Sequence, residues 1–288
     1  MNDQAKGLII TTLGALFVVP DSLFVRLIDA DALVVSFWRG IVAGGAIAVG
    51  VLLFQGAAPF LALLRTGWHG ITYTVSVGAS GILFVCAVGM TSVANVVFII
   101  ASMPVFAAIY SRIFLGEPIR RRMIITMIGV MVGLGIIAFG SDKSAHANWR
   151  GDLMALGVSA LFAAGLTAAR RVRAVSMVPA VPIAYIGASL ALLPFIEPFT
   201  IPDAHVWMVP AHASFIVLSG VLLALGPRYI TSAEVALLIL LESVLAPLLA
   251  WTVVGENPGR WALVGGAVVI ASLAISNLML FYQQKRLT

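Results

Sequence analysis

The chain has 288 residues, of which 61% are hydrophobic and only 10% charged, with a mean hydropathy of +1.08 and a formal net charge of +5. This balance excludes a sizeable soluble domain, because nearly all of the chain must face lipid or other helices. The single cysteine, Cys86, excludes an intramolecular disulfide and a cysteine-cluster metal site, so neither metal nor cofactor is expected.

At roughly 20 residues per crossing, ten apolar stretches are long enough to span a bilayer. In chain order they lie near residues 7–27, 33–54, 68–89, 93–115, 120–140, 151–170, 178–196, 208–226, 231–254 and 260–282. The first has no small-residue cleavage site and is expected to be retained, not removed as a signal peptide. Turn signals stand where the spans end: Gly56 to Pro59, Gly116-Glu117-Pro118, Pro198 to Pro202, Gly226-Pro227, and Gly255-Glu256-Asn257-Pro258. The longest polar stretch, Ser141 to Arg150, divides the chain into residues 1–140 and 151–288, with five spans each, joined by the linker 141–150.

The halves are related. Ala94 to Ile136 recurs at a constant offset as Ala233 to Ile275, with identities at Val96/Val235, Ile100/Ile239, Val105/Val244, Ala107/Ala246, Gly116/Gly255, Glu117/Glu256 and Arg121/Arg260. An odd number of spans per copy places the two copies upside down relative to each other, the architecture of many secondary transporters. The expected fold is therefore an all-α integral membrane protein, ten helices in two inverted five-helix repeats around a central cavity.

Twelve basic residues fall on the N-terminal side of this arrangement and four on the other, which with Arg39 inside a span make up all 17. The positive-inside rule then puts both termini in the cytoplasm. Because these charges are scattered over many short loops, they read as topology determinants beside anionic headgroups, and no nucleic-acid partner is expected.

The residues around the repeat carry a family resemblance. Leu115-Gly116-Glu117 and Val254-Gly255-Glu256 close the fourth and ninth spans. Before them stand Ser102-Met103-Pro104-Val105-Phe106-Ala107-Ala108 and Leu241-Glu242-Ser243-Val244-Leu245-Ala246, and Phe37-Trp38-Arg39-Gly40 lies in the second span. Over essentially the whole chain these motifs resemble the drug/metabolite transporter superfamily, specifically its ten-span exporters with paired EamA-type domains. One departure is Ser243, where the family's ninth-span pattern has proline, with Pro247 one turn later. The resemblance implies a bacterial inner-membrane exporter of amino acids, including aromatic ones, or else of drugs or purine-type metabolites.

Ionisable groups at bilayer depth are costly unless paired or facing water, so they mark candidate sites. Glu242 lies about eleven residues, roughly 17 Å, into its span and close to the midplane. It is either hydrogen-bonded to a neighbouring helix or a pathway carboxyl that meets a substrate amine or a proton. Asp21 and Arg39 stand at matched depth in neighbouring spans and form a candidate ion pair, fixing helix register or gating the path. Pro20 beside Asp21 predicts a kink.

Polar and aromatic residues at compatible depth are Tyr73, Ser76, Ser80, Asn95, Ser102, Thr167 and Ser243, with Phe17, Phe98 and Phe106 as walls. Freed carbonyls near Pro104 and Ser243 are expected to face the cavity. Glu117 and Glu256 suit the N-terminal dipoles of the helices that follow them. Gly40/Gly44 and Gly129/Gly133 permit close helix approach, within the chain or across a homodimer. His69, His146, His205 and His212 read as span-end or loop residues.

Enzyme signatures are missing: the chain has no His-Glu-x-x-His, no Gly-x-Ser-x-Gly and no phosphate-binding Gly-x-x-x-x-Gly-Lys. The expected activity is export of a small-molecule substrate by alternating access. An uptake permease is the rival within the class. A non-transporting membrane scaffold or intramembrane enzyme is the rival outside it.

Overall fold

The computed structural model of the chain describes residues 3–116, 121–141 and 148–285, and every regular element in them is helical. Glu117, Pro118 and Arg120, and the middle of the linker with His146, lie outside the described residues.

The first span is two pieces, α1 (Asp3–Val18) and α2 (Asp21–Leu27), because Pro20 has no amide hydrogen to continue the ladder; α2 restarts from it, with Phe24 N–H donating to the Pro20 carbonyl at 3.0 Å. Next come α3 (Ala32–Gln55), capped by the Asp31 side chain on Leu33 N–H at 2.8 Å, the short α4 (Ala58–Leu64) and α5 (Trp68–Met90). The fourth span is also broken, into α6 (Val93–Ile100) and α7 (Met103–Tyr110), with Pro104 in the first turn of α7. A π-helical turn, Ser111–Leu115, then ends on Gly116 at φ 73°. The remaining helices are α8 (Arg121–Ser141), α9 (Trp149–Arg171), α10 (Ala180–Leu192, prolonged by a 3₁₀ turn to Phe195), α11 (Met208–Tyr229), α12 (Ser232–Val254) and α13 (Arg260–Lys285).

The repeated Leu-Gly-Glu and Val-Gly-Glu motifs have one local cause. Gly116 and Gly255 (φ 69°) take the left-handed conformation that terminates a helix, which side chains with a Cβ adopt at a cost. The repeat is not carried through the helices before them. Where Pro104 breaks the fourth span, Ser243 keeps its amide hydrogen, and α12 runs unbroken through Ser243 and Pro247.

Among the described residues, seven stretches are long and apolar enough to cross a membrane: Asp3–Leu27, Ala32–Gln55, Trp68–Met90, Val93–Leu115, Trp149–Arg171, Asp203–Tyr229 and Glu234–Val254. Three shorter apolar helices are Ile124–Gly140, Ala180–Phe195 and Arg260–Ser272.

In the packing, α5 lies along α9, α1 along α11, α3 along α10 and α8 along α13. Every residue of α6 is buried, as suits a helix that is apolar all round. Both small-residue motifs are consumed within the chain. A Cβ on Gly40 would meet the Tyr185 carbonyl at 2.9 Å, and one on Gly133 would meet the Gly265 carbonyl at 2.8 Å.

Candidate functional site

A cavity of about 840 Å³, counting space continuous with solvent, lies between the two halves, within the size range of small-molecule sites. Its wall is largely apolar, with Val77, Phe84, Phe162, Leu223 and Ile239, and carries three ionisable side chains, Asp21, Arg39 and Glu242.

Asp21 opens α2 immediately after the Pro20 break, which places its carboxylate inside the bundle at only 1% exposure. Arg39 of α3 approaches it as a fork: Nε donates to Oδ1 at 3.0 Å and Nη2 donates to Oδ2. From the other half, His212 Nε2 lies 2.6 Å from the same Oδ1. His212 is itself 1% exposed and stacks on Phe24, with ring centroids 5.3 Å apart and 12° between planes. One carboxylate thus ties α2, α3 and α11 together. Buried charge at this depth is tolerated because every ion here has a partner. The guanidinium also lies over the Tyr185 ring of α10, 6.0 Å from its centroid, and its Nη1 is accommodated by Gly81, whose Cβ would stand 3.3 Å away.

Glu242 of α12 reaches the same cavity, is buried, and its Oε1 has no hydrogen-bond partner among the described residues. An unsatisfied buried acceptor costs on the order of 1–3 kcal/mol, and Glu242 Oε1 is open to a donor that enters the cavity.

Of the residues singled out in the sequence, Asp21, Arg39, Tyr73, Ser80 and Glu242 line this one cavity. The others lie elsewhere. Ser243 donates to the Val97 carbonyl at 2.9 Å, Thr167 to the Ala163 carbonyl at 2.8 Å, and Asn95 donates to Asp152 at 3.1 Å. Phe17 packs on Phe215, Phe106 on Tyr110, and Phe98 fills the space that a side chain at Gly266 would need. Ser76 is buried on α5, and Ser102 and Pro104 at the break between α6 and α7, without lining the cavity.

Sequence reasoning missed His212, Tyr185 and Asp152. Measured from Met208, His212 stands near a span end. The apolar stretch begins at Asp203, however, through a 3₁₀ turn, which puts the imidazole well inside. Asp21 and Glu242, from opposite halves of the chain, line the same cavity.

The bundle end opposite the N-terminus is closed by polar bonds. Arg26 Nε pairs with Glu256 at 2.9 Å, its Nη2 donates to the Thr91 carbonyl at 2.8 Å, and Glu256 Oε1 accepts from Val93 N–H at 2.6 Å. Thr91 Oγ1 donates to Asp152 at 2.8 Å. Glu256 therefore caps α6 and holds Arg26 of the first span, a different task from the one its position before α13 suggested.

One solved crystal structure superposes on the chain with a TM-score of 0.70 at 17% sequence identity, covering 95% of this chain and 98% of its own, a likeness of fold. Among curated proteins none matches. The family model described as "EamA-like transporter family" matches twice, over residues 5–139 and 149–278. With a helical bundle around a charged cavity, and these two matches taking in most of its length, the chain belongs to the EamA-like transporter family and is a multi-pass membrane protein that transports small molecules.

Proposed function

We propose that the chain is a ten-span secondary transporter built from two inverted five-span repeats, which exports small metabolites, amino acids foremost, from a bacterial cytoplasm across the inner membrane by alternating access. The observation that carries this reading is the cavity between the halves, in which a paired guanidinium and an unpartnered carboxyl share one largely apolar pocket. An amino acid needs these three features: a cation, an anion and an apolar wall.

Two further observations support the architecture. Among the described residues, seven long apolar stretches and three shorter apolar helices together equal in number the ten spans proposed. The helix neighbours also exchange under the repeat: α5 with α9 corresponds to α11 with α1, and α10 with α5 to α3 with α11, while α3–α10 and α8–α13 map onto themselves. With the termini cytoplasmic, as the basic residues favour, the bonds among Arg26, Glu256, Thr91 and Asp152 shut the outer end. Alternating access then requires these bonds to break.

The test is counterflow in proteoliposomes loaded with a panel of amino acids, nucleosides and cationic amines. Exchange of at least one neutral amino acid, lost in Glu242→Leu, is the expected result. A panel that shows no exchange above empty liposomes would defeat the transporter reading, and exchange restricted to nucleosides would replace its substrate.

A further inference from the structure

Asp21 has two partners, a guanidinium that neutralises its charge and an imidazole that adds a further hydrogen bond. Arg39 binds it through Nε and Nη2, and His212 holds Oδ1 from the opposite half of the protein. Arg39 Nη1, left over from this fork, lies against Gly81 on the cavity wall, and Glu242 stands in the same cavity with a free oxygen. A guanidinium fits one carboxylate bidentately. The fork on Asp21 uses the Nε–Nη2 edge, so a carboxylate that enters the cavity and takes the Nη1–Nη2 edge shares Nη2 with Asp21 and draws Arg39 away from it.

Resting on the reading of this cavity as the transport site, we propose that Arg39 is the receptor for the carboxylate of an α-amino acid, that Glu242 takes the ammonium, and that His212 is a positioning residue which keeps Asp21 in place while Arg39 is handed to the substrate. The exchange balances. The guanidinium passes from one carboxylate to another, so it is never left bare. Asp21 keeps its bond to His212, and one proton from water, taken up by the second ring nitrogen, turns that bond into an imidazolium–carboxylate pair. Without His212, releasing Arg39 would strand a buried carboxylate, which is prohibitive at this depth.

The proton is therefore assigned to His212 among the charged and titratable groups around it. These are Asp21 from α2, Arg39 from α3, Tyr185 from α10 and Glu242 from α12. Asp152 of α9 is engaged with Thr91 and Asn95, and Lys6 of α1 lies over Tyr229.

The experiment measures binding of radiolabelled L-phenylalanine to the purified full-length protein, with competition by L-phenylalaninamide, which keeps the ammonium and the ring but lacks the carboxylate. The amide is expected to compete at least about tenfold more weakly, the worth of one charge-assisted bidentate contact. Relative to His212→Gln, in which any proton that Glu242 releases to the ammonium cancels, wild-type L-phenylalanine affinity is expected to rise as pH falls from about 8 to about 6, where an imidazole titrates, by at most about tenfold per pH unit, the slope of a single proton. His212→Gln, which can still donate to Asp21, is expected to remove that pH dependence, and this separates the imidazole from Glu242. Where single changes at the pair fail to fold, Asp21→Asn with Arg39→Gln supplies a neutral pair, which should bind acid and amide alike.

Equal competition by the amide overturns the proposal, as does an unchanged pH profile in His212→Gln. Absence of L-phenylalanine binding while a carboxylate-free amine exchanges in counterflow overturns it and leaves the transport reading standing. Failure of every solute to exchange defeats the transport reading, and the acid-to-amide ratio then still decides whether Arg39 receives carboxylates.

Discussion

Glu242 separates stability from function at a single position. Its Oε1 has no bond to lose among the described residues, so Glu242→Gln should leave the thermal unfolding of the purified protein unchanged, and Glu242→Leu should raise stability by about 1 kcal/mol by removing an unsatisfied acceptor. Both should cut exchange of ammonium-bearing solutes at least about tenfold, the worth of one charge-assisted contact. A Gln variant that unfolds early yet transports normally per folded molecule would show the carboxyl to be structural. Glu242 was legible in the sequence because depth along a helix can be counted from residue numbers. His212 was not, since the count began at the wrong residue and an imidazole among alanines carries no pattern. Its partner Asp21 is 191 positions away, and only tertiary packing brings the two together.

At the scale of elements, the contact between α8 and α13 has almost no tolerance. A Cβ at Gly265 would lie 2.6 Å from the Gly133 carbonyl and 3.0 Å from the Ile137 nitrogen, whereas one at Gly135, on the same helix as Gly133, meets nothing within 4 Å. Gly265→Ala should therefore cost about 1–3 kcal/mol by overpacking, while Gly135→Ala should be neutral or stabilise by up to about 1 kcal/mol, because alanine is the better helix former. Thermal unfolding of the two variants beside wild type checks the contrast, and equal melting would argue that the two helices separate freely. The small-residue spacing was visible in the sequence, but its partner was not, since one motif serves equally between helices of one chain or of two. The proline arithmetic transferred only in part. Repeat alignment paired Pro104 with Ser243 and suggested two irregular helices, but a residue that keeps its amide hydrogen need not break the helix it occupies.

For the whole molecule, hydropathy alone placed the long helices to within a few residues, because a chain in lipid must satisfy its backbone groups inside each segment and leaves few alternatives to helix. What hydropathy does not resolve is how thick a bilayer the protein prefers. Ala180–Phe195 is the shortest of the uninterrupted apolar stretches in the second half apart from Arg260–Ser272, and at 1.5 Å per residue its sixteen positions reach about 24 Å, short of a hydrocarbon core of about 30 Å. Phe195 ends this short helix and is exposed, as are Phe199 and Trp207 in the segment that follows it, the kind of side chain that is enriched at headgroup level. Lipid beside α10 must therefore thin, or the helix must sink and draw its polar loop with it, at a fraction of a kcal/mol for each ångström. Because α10 also carries Tyr185 against Arg39, that mechanical load would bear on the cavity proposed as the transport site. Exchange should consequently run several-fold faster in liposomes of short-chain than of long-chain monounsaturated phosphatidylcholine, and a rate indifferent to chain length would mean that α10 is shielded from lipid by its neighbours. A rate that follows chain length would make membrane thickness a control on transport, exerted through the short helix that carries Tyr185.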